Sequence, residues 1–188
     1  MRGRFQKKRP RSLHAHGYRM QAEILILGVL PLLLALAAGW DLASYTIPNR
    51  LQVALLASFA IFIFVGHLTL AQLGVHVLAG LIGLVAGFAL FSLGYIGGGD
   101  AKFFACTALW FGLGDLLEYA LIASVIGGAL TLALLSFRGV AVPPFLVRQG
   151  WIARLHDAKQ GIPYGIALAA AGLVILPHAE IFRHAVAA

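Results

Sequence analysis

Cysteine occurs once, at Cys106, so the chain can form neither an internal disulfide nor a cysteine-based zinc site. Charge is also scarce: Asp, Glu, Lys and Arg make up 11% of the 188 residues, against 61% hydrophobic residues and a mean hydropathy of +0.90. That mixture cannot cover a soluble domain, and it identifies an integral membrane protein. The apolar stretches are continuous rather than alternating with polar residues over about ten positions, which excludes a β-barrel. His14, His16, His67, His76, His156, His178 and His184 are scattered, and none pairs at helical spacing opposite a carboxylate. Cys106 reads as packing, and neither a metal nor any other cofactor is expected.

What is present is a series of apolar blocks. A bilayer core about 30 Å thick takes roughly 20 apolar residues per helix, and six blocks fall near 24–40, 51–70, 73–94, 103–114, 119–137 and 163–176. The expectation is an all-α bundle of about six transmembrane helices, one domain over 21–178, because no connection is long enough to hold a second core. A basic tail over 1–20 precedes it and a short tail over 179–188 follows. The fourth block has about 14 residues between Asp100 and Asp115, or roughly 21 Å as a helix. Either the membrane thins there, or one end of that helix sits in a protein-lined, water-accessible cavity. Gly80, Gly83 and Gly87, and again Gly127 with Gly128, provide close-approach points between helices. Gly97, Gly98 and Gly99 lie outside the blocks and give a loop that bends cheaply.

Acids are the rarest polar feature: Glu23, Asp41, Asp100, Asp115, Glu118, Asp157 and Glu180. In a membrane protein such residues are functional candidates. Counting spans puts Asp41, Asp100 and Asp157 in connections on one side of the membrane, with Asp115 and Glu118 on the other. Asp41 and Asp100 are therefore able to meet at one depth. Two carboxyls brought together suit general acid and base work on water, one ionised while its neighbour holds a proton. The alternative for each is a plain helix end in the interface. After Asp41, Pro48 is expected to stop a helix and fix the turn, with Asn49 as the cap of the next one. Asp100 follows the glycines and opens a helix, where the backbone favours an anion.

Asp41 followed by Ile47, Pro48 and Asn49, then Gly97, Gly98, Gly99, Asp100 and Lys102, then Pro163, Tyr164 and Gly165, resembles the type IV prepilin peptidases. More narrowly, the chain resembles their short six-helix form of Flp or tight-adherence pilus assembly, over residues 24–176. The resemblance implies a GxGD aspartyl endopeptidase with Asp41 and Asp100 as catalytic pair. It further implies a bacterial inner-membrane enzyme with its site at the cytoplasmic face. The substrate would be an Flp-type prepilin, whose leader is removed. Lipid and other pilus-assembly proteins would be the remaining partners, and nucleic acid is not expected. Members that also methylate the new N-terminus carry an extra cytoplasmic segment, often with paired cysteines; this chain has neither, which implies no methyltransferase activity. Basic residues often stand before IPN in the family, whereas Ser44, Tyr45 and Thr46 stand here.

Other positions stay open on sequence alone. Lys102 either contacts substrate and balances charge, or is a topogenic lysine. Pro163, Tyr164 and Gly165 either line the site or cap the sixth helix. The connection from Arg138 to Gly161 is either an interfacial amphipathic helix built on Val147, Trp151, Ile152 and Leu155, or a solvated loop. Two other functions would use intramembrane acids or this fold: a small proton-coupled transporter or channel, and a non-catalytic assembly subunit. A transporter predicts acids near the midplane and usually a repeat, and no repeat is visible.

Arg50, Lys102, Arg138, Arg148, Arg154 and Lys159 share the side of both aspartates, against Arg183 on the other side. Cytoplasmic loops are enriched in Lys and Arg, so the body of the chain points to a cytoplasmic site. The tail, with seven of the fourteen basic residues, falls on the wrong side. Translation starting at Met20 would remove the conflict.

Overall fold

The structure, a computed structural model, describes residues 23–140 and 148–187 together with residues 17, 20, 143 and 145. The basic tail, apart from Gly17 and Met20, and Val147 lie outside the described residues. Helix α1 (Leu25–Ser44) is followed by α2 (Asn49–Val65), α3 (Leu70–Ser92) and α4 (Gly98–Arg138). Short helix α5 (Gly150–His156) precedes α6 (Tyr164–Ile175), a 3-10 turn (Leu176–His178) and α7 (Glu180–Ala187). No strand occurs among the described residues. Leu25–Ser44, Leu70–Ser92 and Gly98–Arg138 are long and apolar enough to cross a membrane, and Asn49–Val65 and Tyr164–His178 are shorter apolar helices. The chain is an all-α membrane protein.

Local chemistry accounts for the elements. The first turn of α1, Leu25–Val29, is wound as a π-helix immediately before Pro31. A proline has no N–H to give the carbonyl four residues back and its ring crowds that carbonyl, and a wider turn absorbs both. Helix α3 opens on Thr69, whose hydroxyl accepts from the Gln72 amide while the Gln72 side chain accepts from the Thr69 amide.

Helix α4 is not straight. Gly112 breaks it with φ 72° and ψ −178°, a region open essentially to glycine alone. The ring of Phe104 stacks on that of Tyr119 at 5.3 Å between centroids, whereas a straight helix would hold residues fifteen apart about 22 Å away. The chain therefore doubles back at Gly112, giving an antiparallel pair, α4a (98–111) and α4b (113–138). With this reversal the described residues contain six apolar helical segments, as the hydropathy pattern implied.

The turn comes earlier than expected from sequence. Asp115 and Glu118 were expected in a connection between residues 114 and 119, but they lie within the first turns of α4b. A single glycine reverses the chain, so no loop is needed. His76 of α3 stabilises the break: its Nδ1 lies 2.8 Å from the Leu109 carbonyl oxygen, and a Cβ on Gly112 would stand 3.2 Å from its ring. Leu109 is in the last turn of α4a, where carbonyls lose their intrahelical partners.

Helix α4a forms the centre. From Gly98 to Gly112 only Lys102 is exposed, while Phe103, Thr107, Trp110 and Phe111 are fully enclosed. This settles how about 21 Å of helix suffices: its neighbours, rather than lipid, surround it. Gly80, Gly83 and Gly87 bring α3 against α4a so closely that Cβ atoms there would come within 3.2 Å of Leu109, 2.9 Å of Ala108 and 2.9 Å of Ala101. Gly127 admits the Tyr164 ring in the same way, but Gly128, expected to do likewise, faces open space. Helix α6 fills the gap between α1 and α4, where a Cβ on Gly172 would meet Leu34. Cys106 is buried in this packing.

Substituting Gly112→Ala forces a side chain into a glycine-only conformation and against the His76 ring. The expected destabilisation is about 1–3 kcal/mol, read as a lowered thermal midpoint in detergent; an unchanged midpoint would show that the break is not held by the glycine.

Candidate active site

The two ends of the bundle differ. At one end Glu180 opens α7 with its amide donating to the Asp115 carboxylate at 2.8 Å, and Arg183 lies 4.0 Å from Glu180. At the other end meet the C-terminus of α1, the N-termini of α2, α4a and α6, and the C-terminus of α4b. Asp41 and Asp100 are here, 2% and 7% exposed.

Asp41 sits in the last turn of α1, which runs on to Ser44 rather than ending at Trp40. Tyr45 closes the helix in the left-handed conformation, φ 56°, with its amide on the Asp41 carbonyl at 2.7 Å. The Ser44 hydroxyl returns to the Trp40 carbonyl at 2.7 Å and meets the Thr46 hydroxyl at 2.9 Å. Tyr45 and Ser44 thus end α1, not Pro48 as expected. Pro48 instead starts α2 with extended ψ 137°, and the expected cap Asn49 is the first helical residue with its side chain turned toward Lys102 Nζ at 3.5 Å. The reason is proline's fixed φ and missing N–H, which suit a helix start as well as a stop.

Asp100 is the third residue of α4a. Its Oδ2 accepts from the Gly97 amide at 3.2 Å, and the Gly97 carbonyl accepts the Ala101 amide at 3.0 Å. Gln52, buried on α2, donates its side-chain amide to the Gly99 carbonyl at 3.2 Å. Nothing in the motif reading singled out Gln52; its position one turn after Pro48, on the inner face of α2, was the available signal.

Pro163, Tyr164 and Gly165 bring the third wall. Pro163 caps α6, with the Tyr164 amide on the Ile162 carbonyl at 2.9 Å and the Ile166 amide on the Pro163 carbonyl at 3.3 Å. The Gly165 backbone lies beside both carboxyls. Gly165 has no room for a side chain: a Cβ would lie 2.8 Å from Asp41 Oδ2 and 2.8 Å from Ile47 Cδ1. Ile47, itself buried, also packs beneath Gly99. The Tyr164 hydroxyl lies 3.4 Å from that of Thr131 on α4b. Asp41 Oδ2 is buried with no hydrogen-bond partner of normal geometry among the described residues. Asp100 lies near enough to Asp41 for the two carboxyls to interact electrostatically.

While Asp115 and Glu180 lie at one end of the bundle, the residues of the D…IPN, GGGD and PYG stretches therefore lie at the other. Asp41, Asp100, Gly97, Gly99 and Gly165 form its floor, Pro48 and Pro163 set two helix starts, and Lys102 with Asn49 stands at its exposed edge. The family model of type IV leader peptidases matches residues 28–132, more than half of the chain and including both aspartates. The chain belongs to the type IV leader peptidase family. It is thus a membrane peptidase of the prepilin-processing kind, with a pilin precursor as substrate. No curated protein and no solved structure matches the chain.

The Gly165→Ala variant of this peptidase should insert normally yet cut a prepilin at least about tenfold more slowly, because its methyl displaces the Asp41 carboxyl. Gly128→Ala, where nothing lies within 4 Å, serves as the control and should retain full activity. Equal rates in the two would remove Gly165 from the site.

Proposed function

We propose that this peptidase is a GxGD-type aspartyl endopeptidase that removes the leader of an Flp-type prepilin, with Asp41 and Asp100 as its catalytic residues. The observation that carries the reading is the shared burial of the two carboxyls beside the Gly165 backbone, at the end of the bundle where the starts of α2, α4a and α6 meet the ends of α1 and α4b.

Acting together, one carboxylate takes a proton from water as the oxygen attacks the scissile carbonyl, and the other carboxyl gives its proton to the departing amine. The pair ends with its proton count unchanged. The Gly97 amide holds the Asp100 carboxyl, and the close approach of Gly165 fixes the place of Asp41 in a region otherwise poor in donors. Ile47 and Gln52 keep the approach of α1 and the glycine loop fixed. Lys102 and Asn49, at the exposed edge, are the groups placed to meet the substrate's polar leader.

The basic residues Lys102, Arg138 and Arg154 belong to this end, which supports a cytoplasmic site in the bacterial inner membrane. Residues 45–48 alone join α1 to α2, a turn too short to hold a methyltransferase segment, and one cysteine cannot make a paired-cysteine site. Methylation of the product is therefore not part of the activity. A proton-coupled transporter is disfavoured because both acids lie within the last or first turn of a helix rather than at mid-span.

Co-expression with an Flp-type prepilin tests the reading. Wild type should shift the prepilin to its mature mobility with an unmethylated N-terminus by mass spectrometry. Asp41→Asn and Asp100→Asn should each lose at least about a thousandfold in rate while inserting normally, since acid and base are needed together. Substantial cleavage by either variant sinks the dyad.

A further inference from the structure

We propose that Arg138 is a positioning residue for the site, clasping the 139–163 connection so that the Gly165 backbone stays beside the two carboxyls. The proposal rests on the dyad reading above and adds to it a residue outside the matched stretch 28–132.

Arg138 is the last residue of α4b. Its Nε donates to the Leu155 carbonyl at 2.9 Å and its Nη2 to the Gly161 carbonyl at 2.9 Å. Leu155 lies in the last turn of α5, where carbonyls lack intrahelical partners and a cation is favoured. Gly161 stands four residues before Gly165, with the rigid Pro163 between them. Fixing the Gly161 carbonyl therefore fixes where α6 begins. One guanidinium thus sets both ends of the stretch between α5 and α6.

The same guanidinium reaches the Asp41 side. The Tyr45 phenol lies beside it, four residues beyond Asp41. Tyr45 also donates to the Arg154 carbonyl at 3.5 Å, and the Arg154 guanidinium donates to the Ala43 carbonyl. On the far side of the connection, His156 Nε2 lies 2.8 Å from the Val140 carbonyl oxygen. Arg138 is thus the junction between the end of α1, which carries Asp41, and the turn that carries Gly165. A planar fork with fixed N–H directions suits two separate carbonyls; an ammonium supplies the charge without that geometry.

The alternative is that Arg138 matters only as a positive charge at the membrane face, and Arg138→Lys separates the two. Purified wild type, Arg138→Lys and Arg138→Ala are assayed for prepilin cleavage after membrane insertion has been checked. On our proposal Arg138→Lys inserts like wild type but loses about tenfold or more in kcat, with KM within about threefold, because substrate does not touch the clasp. Wild-type kcat in Arg138→Lys overturns the proposal, as does a change confined to KM. Trypsin cleavage at the exposed Arg148 and Lys159 is a second readout that does not need a substrate. It should be faster in Arg138→Lys than in wild type, and equal rates overturn the clasp. If wild type releases no leader from any prepilin, the peptidase reading fails, while the trypsin comparison still decides the clasp.

Discussion

Two carboxyl groups buried side by side in an apolar bundle are the constraint on which the rest of this structure depends. Burying a polar group without partners costs several kcal/mol, and the interior of a helical membrane protein offers few donors, because helical amides are spent within their own helices. Unspent amides exist at helix N-termini. The protein meets the constraint by ending helices at the carboxyls: α4a begins under Asp100, and α6 begins with Gly165 packed against Asp41. The site thus lies at an end of the bundle, where helices can start, and not at its midplane.

From that placement the topology follows. Asp41 and Asp100 must be separated by an even number of crossings, and α2 with α3 supplies them. The chain then leaves the site along α4a and returns to it within one further crossing, which brings Arg138 to the Gly161 carbonyl. The reversal at Gly112 does this without a loop, and His76 satisfies the Leu109 carbonyl that the break releases. A helix of fourteen residues is then long enough, because α4a is walled by other helices along its whole length.

Much of this was legible in the sequence because it is written in scarce residues. Seven acids, a glycine triplet and a few prolines stand out against apolar blocks, and parity alone brings Asp41 and Asp100 to the same face. Gly80, Gly83 and Gly87 read correctly as a packing stripe since small residues recur on one helical face. The errors came where one residue type serves two purposes. Pro48 suits a helix stop and a helix start equally, so the cap fell on Asn49 by mistake; a glycine in an apolar run looks like packing, so Gly112 passed unnoticed as a turn. Gln52, His76 and Arg138 were invisible as site or scaffold groups because their partners are backbone carbonyls, at Gly99, Leu109, Leu155 and Gly161. Every residue carries a carbonyl, so no sequence pattern marks such a pair.

The walls of the site are held by different forces. On the Asp100 side, α3 packs on α4a through three glycines set against Leu109, Ala108 and Ala101, a close-packed seam. On the Gly165 side the connection from α4b to α6 is held by Arg138, Arg154, Tyr45 and His156, whose bonds run to carbonyls at the water-exposed face, and no residue of α5 is buried. Regions with few buried apolar contacts and exposed hydrogen bonds open at lower free energy than a packed core. Asp100 therefore stands on the fixed wall, and Gly165, packed against Asp41, on the compliant one.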